Sequence, residues 1–164
     1  MPADLWSFTL DFYARPGIEQ ACLRLQDQGA DVCMLLCGVW LGARGVACHP
    51  ARVEAISALA RPWQADVVTP LRALRIQWRS NAKADAGLAT LRNQLKKLEL
   101  DAEQALLQRL QALVLQWPEE QANETGLWLK TLAPEVAGLD RDALQVLCDA
   151  ASDAGKQLRK RCSG

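Results

Sequence analysis

Few residues of this chain have the type and spacing to do chemistry. Cys33 and Cys37 stand four apart, and Cys48-His49 follows eleven residues later. Zinc needs four convergent nitrogen or sulfur ligands, commonly in close pairs. Here the first pair lies in the most apolar stretch of the chain, which suits core packing better than a thiolate centre. Nucleophilic catalysis would need a thiol or hydroxyl beside a base. His49 is the sole histidine; its neighbour Cys48 diverges from it on a turn, and His49-Pro50 reads as the lead-in to a helix. The glycines form neither Gly-x-Gly-x-x-Gly nor a P-loop. No catalytic residue, metal or cofactor is expected, and the balance leans away from an enzyme.

Three other groupings could act. Arg72, Arg75 and Arg79 recur at spacings of three and four, with Arg61 and Lys83 nearby and Trp63 and Trp78 interleaved. Such a face could grip phosphates while an aromatic ring stacks, or it could pair with acidic neighbours. Leu88, Leu91, Leu95 and Leu98 follow heptad spacing; Leu106, Leu110, Leu113 and Trp117 resume it after a stutter near Ala102. That stripe packs on the protein's own helices or, where exposed, forms a partner or homodimer surface along 85–117. A small-molecule site inside the fold would need a deep polar pocket lined by residues such as Tyr13, Asp27, Asp31 and Arg75.

Charge patterning favours internal pairing first and an anionic partner second. The whole chain is neutral, with 19 basic and 19 acidic residues. Residues 40–83 carry seven bases against two acids, whereas 1–39 and 84–139 each have three more acids than bases. The start, Met1 to Trp6, lacks the basic and apolar regions of a signal peptide. The longest uncharged apolar stretch, Val32 to Ala43, would span roughly 18 Å as a helix, short of a bilayer core of about 30 Å. Six cysteines in a chain of 164 residues without a secretory signal read as reduced thiols. Cys162 is the one expected to be exposed. A cytoplasmic protein without membrane partners is expected.

The elements that would position these residues are all helices. Asp4 caps a first helix to Tyr13, with Leu5, Phe8 and Phe12 on one stripe and Trp6, Leu10 and Tyr13 on another. The alternation Trp6, Phe8, Leu10, Phe12 would also suit a strand, but no segment offers it a partner. Pro16-Gly17 opens a second helix, closed by Gly29. Asp31 caps a third, Val32 to about Ala43, which is apolar all round and so belongs at the centre. Gly38 and Gly42 would let a neighbour approach it closely. Pro50 starts a fourth, with a break or kink at Pro62 and again near Pro70. Ser80 to Asp85 is a polar connection. A long helix runs over 85–117, with a possible break near Leu100 where Asp101 and Gln104 could cap afresh. Residues 118–125 form a loop, and a short helix carries Leu127, Trp128 and Leu132. Asp140 caps the last helix, with Leu139 stapled to Leu144, an apolar face of Leu144, Leu147, Ala151 and Leu158, and Lys156, Arg159, Lys160 and Arg161 in its last turns.

The N-terminal part carries Leu5-Trp6-x-Phe8-x-Leu10-x-x-Tyr13, Pro16-Gly17, Cys22-Leu23-x-Leu25-Gln26-Asp27, Gly29-x-Asp31-Val32, Leu35-Leu36, Trp40-Leu41, Trp63, and Val67-Val68-x-x-Leu71-Arg72-x-x-Arg75. In these motifs it resembles an uncharacterised family of small proteobacterial proteins, domain of unknown function 2390, over roughly the first 80 residues. Cys33 stands where that family more often has Asn. The resemblance implies a helical bacterial protein and no particular activity. The expected architecture is an all-α, single-domain bundle or array over 1–164, of about six or seven helices. Residues 1–83 would form the family-like part, and 84–164 the long helix with the C-terminal helices. The expected role is a non-enzymatic bacterial interaction or regulatory protein with a protein partner. Polyanion binding through the arginines and a small-molecule enzyme inside the bundle are the alternatives.

Overall fold

A computed structural model of the chain describes residues 4–162, with side chains as far as 157 and that of Lys160. The side chains of Leu158, Arg159, Arg161 and Cys162, for which the sequence raised expectations, lie outside the described residues.

The hub is α3 (Val32–Ala43). Asp31 caps it by accepting a hydrogen bond from Met34 N at 3.2 Å, and every residue from Cys33 to Leu41 is buried. A helix with no polar face is stable only when enclosed, and six other helices touch it. Four of them come first or last in the chain: α1 (Leu5–Tyr13), α2 (Ile18–Asp27), α8 (Thr125–Leu132) and α9 (Arg141–Cys162). The first segment is a helix, capped by Asp4, whose carboxylate accepts from Ser7 N at 2.8 Å. Leu5, Phe8 and Phe12 are its buried stripe. Asp140 caps α9, accepting from Ala143 N.

α3 and α8 approach closely in the core. A Cβ on Gly42 would lie 2.8 Å from Thr125 Cα, and one on Gly38 would lie 2.9 Å from Leu132 Cδ1. The two glycines one turn apart therefore set the helix separation. Behind this contact Trp128 is fully buried and donates its indole N–H to Val46 O at 2.9 Å. Gly45 turns the chain in the left-handed region (φ 73°), and its carbonyl accepts from Glu120 N and Ala122 N. The 118–124 loop is thus tied down. Its Glu119 pairs with Arg44 at 3.1 Å and its Glu120 with Arg52 at 3.0 Å.

After α4 (Pro50–Trp63) the chain stays helical through Pro62 and Pro70 and is not interrupted by a loop. Trp63, Gln64, Val68 and Thr69 all keep right-handed helical angles. Instead, Gln64–Val68 widens into one π-helical turn, in which Thr69 N reaches back five residues to Gln64 O. A wide turn next to a proline relieves the ring clash and the missing donor. The rod continues as α5 (Thr69–Gln77) and α6 (Arg79–Ala82), so the connection expected at Ser80–Asp85 begins with a helical turn.

The long helix α7 (Ala86–Val114) is unbroken at Leu100, some 44 Å long at 1.5 Å per residue. Its packing corrects the expected stripe. Leu91 and Leu98 are 52% and 53% exposed. The side turned inward is Leu88, Arg92, Leu95, Glu99, Ala102 and Leu106, alternating steps of four and three. From Leu88 to Leu106 the heptad is continuous, with two of its seam positions charged; the consecutive steps of four from Ala102 to Leu106 and on to buried Leu110, with Arg109 exposed, are the expected stutter. α5 and α6 pack chiefly on the first half of α7 as an antiparallel arm. With the α4–α6 rod taken as one, the described chain forms seven rods without a strand. One apolar cluster, from Leu5 to Ala151, joins the family-like part to the C-terminal helices.

Candidate functional site

The second stripe of α1 does not enter the core. Trp6, Leu10 and Tyr13, with Thr9 between them, line a cavity of about 260 Å³. Leu23 and Gln26 of α2 form an adjoining wall, and Asp31, Val32, Cys33 and Leu36 come from the start of α3. The π-helical turn contributes Gln64, α5 contributes Arg72 and Arg75, and α7 contributes Glu99, Leu100, Glu103 and Leu107. π-Turns inside helices often occur at functional sites; here one delivers an amide to the cavity wall.

One face of the cavity is a charged bridge between α5 and α7. Arg72 Nε donates to Glu99 Oε1 and Arg72 Nη2 to Glu103 Oε1, both at 3.0 Å. Arg75 Nε donates to Glu99 Oε2, and its Nη2 to Glu99 Oε1 at 3.3 Å. Glu99 is therefore held by two guanidiniums, with only 9% of its side chain exposed. Donating to Glu99 raises the pKa of Arg75 above its ordinary value. Burial pushes Glu103 above the usual carboxylate range, against the pull of Arg72.

Three other residues of the lining carry a buried polar atom without a protein partner. Thr9 is buried, and its Oγ1 has no hydrogen-bond partner. Asp31 spends Oδ1 on Met34 N, while its Oδ2 is buried without a partner. Gln64 Oε1 is in the same condition. Burial raises Asp31 from an ordinary 3.8 to about 6, with the backbone donors of Met34 and Cys33 and the charge of Arg72 pulling it back. Burial also moves the Tyr13 hydroxyl to about 12 and the Cys33 thiol well above its usual value, so neither is an activated nucleophile.

Of the residues singled out from the sequence, Tyr13, Asp31, Arg72 and Arg75 come together here. Asp27 does not; it is exposed and is not among the residues lining the cavity, although it stands one turn from Leu23. The arginine face divides. Arg72 and Arg75 turn inward onto carboxylates, while Arg61 and Arg79 are exposed. Trp63 donates its indole N–H to Ala102 O at 2.9 Å and lies under Arg109 at 3.9 Å. Trp78 is half-buried. The structure thus builds no continuous strip of arginines and tryptophans facing solvent. The internal pairing inferred from charge segregation is realised: Arg44, Arg52, Arg72 and Arg75 all pair with acids from 84–139. Among the described residues no group of three or more His, Cys, Asp or Glu converges as a metal would need, and no helix is long and apolar enough to cross a membrane. Sequence reasoning missed Thr9, Gln64, Glu99 and Glu103. The available signal was Glu99, a charge at a seam position of a leucine heptad.

Comparison with known proteins adds the family. The chain belongs to the family described as Protein of unknown function (DUF2390). The match covers residues 4–110, thirty residues more than the motifs of the first 80 implied. The DUF2390 region takes in α1 to α6 and most of α7, and therefore every residue lining the cavity. Helices α8 and α9 lie beyond it. No curated protein and no solved structure matches the chain.

Proposed function

We propose that this DUF2390 protein is a non-enzymatic regulatory or carrier protein that binds a small organic ligand in the cavity between α1, α3, α5 and α7. One observation carries the reading. Of the four buried side-chain polar atoms lacking a partner among the described residues, three belong to residues of this one cavity: Thr9, Asp31 and Gln64. Leaving such groups unpaired costs on the order of 1–3 kcal/mol each, so three of them around one cavity call for something that pairs with them there, a ligand, an ion or water. The cavity mouth supports the same reading, since Leu10 and Leu100 are half-exposed on its rim. An apolar rim around a few polar groups is the usual make-up of a ligand pocket. Binding fits better than catalysis, because the cavity thiol and phenol are held protonated and the sole histidine lies elsewhere.

A bacterial, cytosolic site of action goes with this reading: Cys22, Cys33, Cys37, Cys48 and Cys148 are free thiols, as a reducing compartment keeps them. The test is a fragment screen by ligand-observed NMR, repeated on Leu10→Trp, which fills the mouth from an exposed position. Hits lost in the variant support the reading; a screen whose hits all bind the variant equally well would refute it.

A second reading rests on the outer side of α7. Leu91 and Leu98, half-exposed and one heptad apart, could seat a second copy of the chain helix on helix. Sedimentation equilibrium of the wild type and of Leu91→Glu/Leu98→Glu decides it: a dimer lost in the variant supports this surface, and a monomer at high concentration dismisses it.

A further inference from the structure

We infer that the ligand of this cavity is a small organic cation, an amine or amidine on an apolar body, paired with Asp31. The inference rests on the ligand-binding reading above and goes beyond it by naming the chemical class.

The argument is a balance of charges and of donors. The walls carry three carboxylates, Asp31, Glu99 and Glu103, and two guanidiniums, Arg72 and Arg75. Both guanidiniums are committed to Glu99 and Glu103. Asp31 is left with backbone donors at one oxygen and nothing at the other. One negative charge is thus in surplus, on a carboxylate bordered by Val32, Cys33 and Leu36. A buried carboxylate without a counter-charge is costly, and a positioned N–H cation relieves it through a charge-assisted hydrogen bond. The other unpaired atoms agree in kind. Gln64 Oε1 can only accept, and Thr9 Oγ1 can accept. An anionic ligand would face the surplus charge with no free guanidinium to receive it. The volume, about 260 Å³, holds on the order of ten non-hydrogen atoms at ~30 Å³ per water-sized group. Trp6, Leu36 and Leu107 supply the apolar wall for its body.

Acidity adds a second signature. The titratable groups around Asp31 are Tyr13 of α1, Cys33 and Cys37 of α3, Arg72 and Arg75 of α5, and Glu99 and Glu103 of α7. Of these, Arg72 opposes the upward shift of Asp31. A cation binds the ionised carboxylate, so its affinity should be constant above about pH 6 and fall about tenfold per unit below it.

The experiment uses two matched series on the full chain: phenethylamine, phenethyl alcohol and phenylacetate, and butylamine, butanol and butyrate. Affinities are read by calorimetry or by tryptophan fluorescence, since Trp6 borders the cavity. The expected result is an amine at least about tenfold tighter than its alcohol and its carboxylate, with the preference lost in Asp31→Asn. Asparagine caps a helix as well as aspartate does, so that variant keeps α3 capped, and circular dichroism confirms its fold. A carboxylate that binds as tightly as the amine, or an amine preference that survives Asp31→Asn, overturns the cation while leaving the cavity as a ligand site. If no compound of either series binds, or all bind Leu10→Trp unchanged, the cavity reading itself fails, and the cation with it.

Discussion

Replacing Glu99 by Gln should destabilise the protein by about 2–4 kcal/mol. Glu99 holds both Arg72 and Arg75, whose side chains are only 15% and 19% exposed. Removing one partner of a buried ion pair costs about 3–5 kcal/mol, because the remaining charge stays buried. Here two guanidiniums lose their shared counter-ion. Partial water access and the remaining partner of Arg72, Glu103 at 3.0 Å, lower the figure. For a chain of this length the melting temperature should fall by roughly 5–15 °C. The assay is urea unfolding followed by far-UV circular dichroism, with the slope against denaturant checked for constancy. A salt series adds a control, since buried pairs are screened far less than exposed ones. The companion variant Arg72→Met/Arg75→Met/Glu99→Leu removes the bridge whole and should lie within about 1 kcal/mol of the wild type, or above it. A cost below about 0.5 kcal/mol for Glu99→Gln would match an exposed pair and refute the buried bridge.

Three further outcomes follow from the same geometry. Gly42→Ala should cost about 1–3 kcal/mol from overpacking against Thr125 despite a gain of about 1 kcal/mol in helix propensity, whereas Gly126→Ala, whose Cβ would meet Cys148 Sγ at 3.6 Å, should be neutral or stabilising; calorimetric melting of both checks the contrast. Thr9→Val removes an unpaired buried hydroxyl at constant shape, so it should stabilise by about 1 kcal/mol while weakening phenethylamine, and a loss of stability would show that the hydroxyl has a partner. Burial raises Asp31 from 3.8 to about 6, so the stability it contributes is present below about pH 4 and is lost as pH rises through about 6. Denaturation curves of Asp31→Asn and wild type should therefore diverge in the variant's favour by about 2–3 kcal/mol between about pH 4 and pH 7, and parallel pH profiles would contradict the shift.

The backbone plan was legible wherever one residue type admits one physical solution. Asp4, Asp31 and Asp140 cap helices because a short carboxylate reaches the first free N–H groups. Val32–Ala43 had to be central because it has no polar face, and Gly38 and Gly42 had to mark a close approach. The π-turn was not legible: it is a compromise between Pro62, Pro70 and packing on α7, and single-residue propensities do not encode it. The leucine stripe misled because apolar identity outweighed register. Leu91 and Leu98 fit the leucine spacing but lie outside the seam, which carries Arg92 and Glu99, charges that make sense only once α5 brings Arg72 and Arg75 alongside. The cavity was half visible. Tyr13, Asp31 and Arg75 are unusual where they stand, but Thr9 and Gln64 look like ordinary surface residues until tertiary packing covers them, and Asp27, one turn from Leu23, stays exposed outside the cavity lining.

The account turns on the cavity being a place where a molecule sits. An amide-resolved NMR titration with phenethylamine tests this most directly. The expected shifts gather at Thr9, Tyr13, Asp31 and Cys33, saturate together, and vanish in Leu10→Trp. Shifts gathered instead along Leu91 to Leu98, or a cavity wall that stays unmoved at saturating amine, would contradict it.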